Sequence, residues 1–151
     1  MQKLMSSNLQ TQLAQQSSKG TAAIAIIIRD GRILLGLREY ENAPTVWTAP
    51  GGSVDGSETL EEAARRETKE ETGIDDLEFI DYIGEVNAED RDPLHVFHCK
   101  SSQKPALVEP EKFNEWRWFP LAKFASGHPE NYINEPSRNL IVDYCQKHGI
   151  I

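Results

Sequence analysis

The sequence predicts an α/β or α+β domain in which a mixed sheet lies between helices. Three observations lead there. An apolar, β-branched run near the start is followed by a turn dipeptide and a second apolar run, the pattern of paired strands. A stretch of helix formers with glycine on both sides stands in the middle of the chain. Further strand-like runs follow it, and a last helical pattern comes near the end. With 151 residues, 38% hydrophobic and 26% charged, the chain has the size of one domain with one core.

Residues 1–19 are rich in Gln and Ser, and Leu4, Leu9 and Leu13 would share one face of a short helix. They are expected as a flexible arm or a loosely docked helix, leaving 20–151 as the domain. Residues 21–28 (TAAIAIII) read as a strand buried on both faces. Asp30-Gly31 is a hairpin signal, and 32–37 (RILLGL) return as its partner. A polar loop over 39–45 leads to a short extended segment, Val46-Trp47-Thr48, and then to Pro50-Gly51-Gly52.

Beyond the central helix, 77–86 and 94–99 read as strands joined by an acidic loop over 87–92, with Pro93 suited to a strand start. Residues 101–112 form a loop. Residues 115–119 (EWRWF) are a last short strand, and Pro120-Leu121 opens a helical turn. The final helix spans 136–148, with Leu140, Ile141 and Tyr144 on its apolar face. No internal repeat is visible.

The central stretch, GGSVDGSETLEEAARRETKEETGI, runs from Gly51 to Ile74. Ser57 is placed to cap a helix start, with Glu58, Glu61 and Glu62 favourable at its positive end, and Gly73 is the expected stop. At about 100° per residue, Leu60, Ala63, Ala64, Glu67, Glu70 and Glu71 fall in one arc. The apolar members suit close packing on a sheet. The three glutamates repel one another, and oxygen-only donors at that spacing suit hard cations such as Mg²⁺ or Mn²⁺. Read locally and on their own, they are more readily a solvated acidic face paired with Arg65, Arg66 and Lys69.

The loop before the helix separates those readings. Gly52, Glu58, Arg66-Glu67, Glu70-Glu71 and Gly73-Ile74, at their spacings here, resemble the Nudix box of the Nudix hydrolases. Thr68 departs from the pattern, standing where the family usually has a bulky aliphatic residue; weaker packing at the flank of the arc is expected, without loss of a ligand. The resemblance covers 20–148 and implies the α/β/α sandwich, with Gly52, Glu58 and Gly73 as structural positions. It also implies metal-dependent hydrolysis of a nucleoside diphosphate linked to another moiety. Glu67, Glu70 and Glu71 would hold Mg²⁺, with Mn²⁺ as the alternative, and the Gly51 carbonyl would complete the sphere. Glu70 or Glu71 would receive the proton of the attacking water. Arg66, also a catalytic candidate, would pair with the box glutamates and hold them in place, and Glu58 would be structural. A further glutamate is often recruited before the last strand; Glu109, Glu111 and Glu115 are the candidates, with Glu115 first.

Arg38, at the end of the second strand, is a candidate for phosphate. Trp47, Trp116, Trp118, Phe119 and Tyr40 are either core or stacking surfaces for a base, and Trp47 is the one chosen for substrate. His95 and His98, three apart on a strand, fall on opposite faces and make no paired metal site. The net charge of −8 argues against gripping a nucleic-acid polymer. Cys99 and Cys145 read as reduced thiols. With no apolar leader and no membrane-length run, the expected setting is cytoplasmic, with a small nucleotide as partner and a homodimer left open.

The other readings weighed are a ligand-sensing domain that has lost catalysis, an isomerase of the isopentenyl diphosphate type, and an unrelated acidic helix. Intact box glutamates disfavour a sensor, and no spare chain is expected for a DNA-binding domain. The isomerase would need site cysteine and histidine that find no match. For substrate, the chain resembles the small nucleoside-triphosphate pyrophosphatases, including those acting on oxidised purine nucleotides, which yield monophosphate and pyrophosphate. ADP-ribose or another sugar nucleotide is the alternative.

Overall fold

The computed structural model describes residues 2–15, 21–88, 91–127 and 130–151; the side chains of 2–7, 88, 91 and 92 are outside that description. The elements run α1 (Gln2–Leu13), β1 (Ala22–Arg29), β2 (Arg32–Tyr40), β3 (Ala43–Thr48), β4 (Gly51–Ser53), α2 (Leu60–Thr72), β5 (Glu78–Ala88), β6 (Arg91–Lys100), β7 (Phe113–Pro120), α3 (Leu121–Ser126) and α4 (Glu135–Lys147). The strand order is β3-β2-β1-β6-β5, with β4 paired to β1 and β7 to β2.

The apolar run of β1 makes it the centre of this sheet. It lies parallel to β6 and antiparallel to both β2 and β4, so the sheet is mixed. Alternate side chains enter two cores. Ile24 and Ile26 join Ile33, Leu35, Val96, Phe119, Phe124 and Ile141 on the side of α3 and α4. Ala23, Ala25 and Ile27 join Leu34, Phe97 and the α2 residues Leu60, Ala63 and Ala64 on the other. The result is the helix–sheet–helix layering expected. At the β1–β2 turn, Asp30 (φ 51°) and Gly31 (φ 72°) both take left-handed backbone, as a two-residue hairpin of this hand requires.

Some expectations change. The first residues form a helix, and Leu9 and Leu13 are buried in the α2-side core, so this part is docked rather than a free arm. Residues 16–19 of the expected arm lie outside the described residues. Gly51–Ser53, expected as loop, pairs as β4 with the start of β1. The expected acidic loop is shorter, since β5 runs to Ala88 and β6 starts at Arg91; residues 89 and 90 lie outside the described residues.

Cys99 and Cys145 are free and buried. His95 bonds Tyr82 Oη at 2.8 Å, whereas His98 bonds Tyr144 Oη of α4 at 2.9 Å, on the opposite side of β6. Among the described residues no helix is long and apolar enough to cross a membrane.

Candidate active site

The site is built on α2, whose two ends are pinned by short-range chemistry. Thr59, not Ser57, is the N-cap: its Oγ1 accepts the Glu62 N–H at 3.2 Å, and Glu62 Oε1 accepts the Thr59 N–H at 2.9 Å. This reciprocal box wins because Glu stands three residues after Thr59, and Ser57 lacks an equivalent. Gly73 closes the helix with φ 78° and donates to the Lys69 carbonyl at 2.9 Å.

The buried stripe comprises Leu60, Ala63, Ala64, Thr68, Glu71 and Thr72, so it is turned toward Thr68 and away from Glu70. Thr68, expected at the flank, is wholly buried, and its Oγ1 finds no hydrogen-bond partner. The three carboxylates therefore meet three environments. Glu71 is 6% exposed and accepts the Gly51 N–H at 2.9 Å. Burial pushes its carboxyl up to about 8; the Gly51 bond works against that rise, and the charges of Glu67 and Glu109 add to it. Glu67 lies against Gly52, where a Cβ would stand 2.6 Å from its carboxylate carbon. Glu70 projects outward with its side chain 46% exposed.

Arg66 organises this cluster. It grips Glu58 through two nitrogens, at 2.7 and 3.0 Å, and reaches Glu67 at 2.9 Å and Glu70 at 3.0 Å. Its Nη2 also donates to the Ser53 carbonyl at 3.0 Å. Glu58 in turn accepts the Asp55 N–H at 2.8 Å, and the Arg66 guanidinium holds the Glu58 carboxyl below the usual carboxylate range. Arg66 thus spends its donors on the loop and the glutamates. Gly51 (φ 143°) sits so close to β1 that a Cβ would collide with the Ala23 carbonyl and Ile24.

One edge of this cluster borders a cleft of about 770 Å³, within the range of small-ligand pockets, while Glu58, Arg66, Glu67 and Glu70 are outside its lining. Gly51, Gly52, Ser53 and Glu71 line it together with Arg38, Tyr40 and Phe113. The Arg38 guanidinium lies 5.1 Å from the Tyr40 ring centre and 5.6 Å from that of Phe113. A wall from 131–134 completes the lining. The sequence analysis names no candidate in that wall; two asparagines within four residues, directly before a helix start, were the available signal.

Two expectations are corrected. Trp47 does not line this cleft: it is 3% exposed, edge-on to Phe119 at 4.7 Å and covered by Arg117 at 4.8 Å, so a base has no access to its face. Glu115 pairs with Arg117 at 2.8 Å beside Trp47, because strand alternation turns it that way. The further carboxylate whose charge reaches Glu71 is Glu109. Its loop is tied to α2 by the Ala106 N–H bond to the Thr72 carbonyl at 2.7 Å. Glu109 Oε1 is buried, 3.7 Å from Lys112 Nζ, and has no hydrogen-bond partner.

The donor set suits a hard divalent cation. Its members are carboxyl and carbonyl oxygens, burial pushes the Glu71 carboxyl up to about 8, and the buried Glu109 Oε1 has no hydrogen-bond partner. Among the described residues no three acidic or imidazole side chains already converge at ligand distances. Arg66 Nη1 instead bridges Glu67 and Glu70, and Glu71 accepts the Gly51 N–H.

Comparison with known proteins agrees with this geometry. An oxidized purine nucleoside triphosphate hydrolase of Danio rerio is 33% identical over 109 residues, 66% of this chain and 65% of that protein. An RNA pyrophosphohydrolase of Caulobacter vibrioides is 39% identical over 70 residues, 46% of this chain and 41% of that protein. The matches thus span less than two thirds of either relative's own length. The crystal structure of a MutT protein from Methanosarcina mazei Go1 superposes with a TM-score of 0.65 at 26% identity, over 85% of this chain and 94% of that one. The family pattern described as the NUDIX domain matches residues 19–142. That match takes in every strand of the sheet and the whole of α2, and the chain belongs to the Nudix family.

Proposed function

We propose that this chain is a Nudix pyrophosphohydrolase that cleaves a nucleoside triphosphate, with an oxidised purine nucleotide as the preferred class, to the monophosphate and pyrophosphate. The observation that carries the reading is Glu71, a buried carboxylate on the Gly51 amide at the cleft, with Glu67 and Glu70 on the same helix. Glu67, Glu70, Glu71 and the Gly51 carbonyl would hold Mg²⁺ or Mn²⁺, and Glu109, whose charge reaches Glu71, would be a further ligand. When bound, such an ion supplies charge relief on phosphoryl oxygens and a more acidic water.

The chain's own groups do the rest. Arg66 orients the carboxylates through Glu58 and the Ser53 carbonyl. Glu70, exposed and bonded by Arg66, is the freer of the two carboxylates assigned to take the water's proton. Arg38 offers a guanidinium fork to phosphate oxygens, which are otherwise unwelcome on a chain of net charge −8. The choice of an oxidised purine rests on likeness to the Danio rerio protein.

A nucleotide panel with Mg²⁺ or Mn²⁺ and product identification tests this. Monophosphate and pyrophosphate from a purine triphosphate are expected. Orthophosphate release, or turnover of sugar-linked diphosphates alone, overturns the substrate. Absence of any phosphoanhydride cleavage overturns the hydrolase reading.

A further inference from the structure

Trp47 is buried away from the cleft, yet its backbone and its side chain both hold the opposite wall. Its N–H donates to the Asn131 carbonyl and its carbonyl accepts the Ile133 N–H, each at 2.8 Å, a single parallel bridge to Tyr132. Asn131 Nδ2 adds a bond to the Thr45 carbonyl at 2.8 Å. One isolated bridge is far short of a strand and needs lateral support to stay in register. The support is the indole N–H, which donates to Glu130 Oε2 at 3.1 Å at the entrance to the wall.

The anchor itself cannot swing. Its ring lies between Phe119 and Arg117, and Arg117 is tethered by Glu115 at 2.8 Å. Arg38 and the wall line the same cleft, and both are carried by β3 or its neighbour β2. The spacing between them is therefore set where the wall is fastened to β3. The α2 carboxylates are fixed separately, by Arg66 and Gly51.

We propose that Trp47 and Glu130 form a latch that positions the 131–134 wall, so that nucleotide discrimination depends on two side chains outside the ligand's reach. They are positioning residues, and loosening them should alter substrate binding more than the hydrolytic step. The catalytic half of this statement rests on the hydrolase reading above; the positioning half does not.

Trp47→Phe keeps the stacked ring and removes only the N–H, Glu130→Ala removes the acceptor, and Glu130→Gln retains an oxygen to accept. Trp47→Phe and Glu130→Ala should raise KM for the best panel nucleotide by about fivefold or more, with kcat within about threefold of wild type. Discrimination between that nucleotide and the next best should shrink, and Glu130→Gln should restore most of it. Hydrogen–deuterium exchange in peptides covering 130–134 should quicken by about tenfold in the first two variants and stay unchanged in α2. Unchanged exchange in that segment overturns the latch. Faster exchange with unchanged KM overturns its role in discrimination, as does a fall in kcat that simply follows a lower melting temperature. If wild-type protein cleaves no phosphoanhydride, the hydrolase reading and the discrimination claim fail together, and the exchange result still decides the positioning.

Discussion

Glu71→Gln separates the electrostatic burden of the site from its fold. The glutamine keeps the size of the side chain and an oxygen for the Gly51 N–H, but it cannot ionise. In the native protein the Glu71 carboxyl is raised from 4.5 to about 8 by burial, so over that window the native state holds a proton that the unfolded state has lost. Stability contributed by the protonated group is therefore complete below pH 4.5 and is lost as pH rises through about 8. At ~1.4 kcal/mol for each pH unit the full effect is ~5 kcal/mol, and relaxation of the glycine loop should leave about 2–4 kcal/mol. The assay is urea unfolding of both proteins in a chelator at pH 5 and pH 9. With a urea slope of about 1–3 kcal/mol/M, the variant's midpoint should exceed wild type's by about 1–2 M at pH 9 and by little at pH 5. Other titrating groups cancel in that difference. Millimolar Mg²⁺ at pH 9 should raise wild type and close the gap, because only the carboxylate gains a cation. An equal gap at both pH values, or a wild type more stable than the variant at pH 9, refutes the account of a carboxyl strained by burial.

Three further outcomes are expected. Gly52→Ala places a methyl group 2.6 Å from the Glu67 carboxylate carbon, and should weaken Mg²⁺ or Mn²⁺ binding by about tenfold in calorimetry with the circular dichroism spectrum unchanged. Thr68→Val removes a buried hydroxyl without a partner at constant shape, and should raise unfolding free energy by about 1 kcal/mol in chemical denaturation. Burial lowers the His98 imidazole from 6.5 to about 4, so the unfolded state binds the extra proton and stability should fall as pH drops from 6.5 toward 4. That loss, up to ~3 kcal/mol, should be missing in His98→Gln when unfolding midpoints are compared across the window.

The parts of this molecule that sequence reading reached are those governed by near neighbours. The β1–β2 hairpin follows from Asp30-Gly31, and the span of α2 from its formers and Gly73. Arg66, Glu67, Glu70 and Glu71 need only a helix to bring them together, and Gly52 and Glu58 lie a short way before it in the chain. What escaped depends on distant partners. β4 is three residues long with two glycines, and exists because β1 has an open edge beside it. Glu115 is nearest the last strand in sequence, but β7 alternation turns it to Arg117, while the Ala106–Thr72 bond carries the loop of Glu109 toward α2. Trp47 has the look of a base-stacking residue until Phe119 and Arg117 are seen to cover it. The helix arc also misled by a fraction of a turn: Thr68, not Glu70, faces the sheet.

The ties between the glycine loop and α2 carry a consequence for how this segment can change in length. Gly51 is bonded to Glu71, Gly52 lies on Glu67, and Ser53 and Glu58 are both held by Arg66. Successive steps of the loop are thus matched to successive turns of the helix, as teeth to a rack. The Gly51 and Ser53 teeth are main-chain atoms, an amide and a carbonyl; the Ser53 carbonyl could come from other residues, whereas a Cβ at Gly51 would collide with β1. One inserted or deleted residue between Ser53 and Glu58 shifts the loop against α2 and disengages several teeth at once, whatever side chain it brings. The length of this loop is therefore held more tightly than the identity of many of its residues, and natural variation here should take the form of substitution rather than insertion.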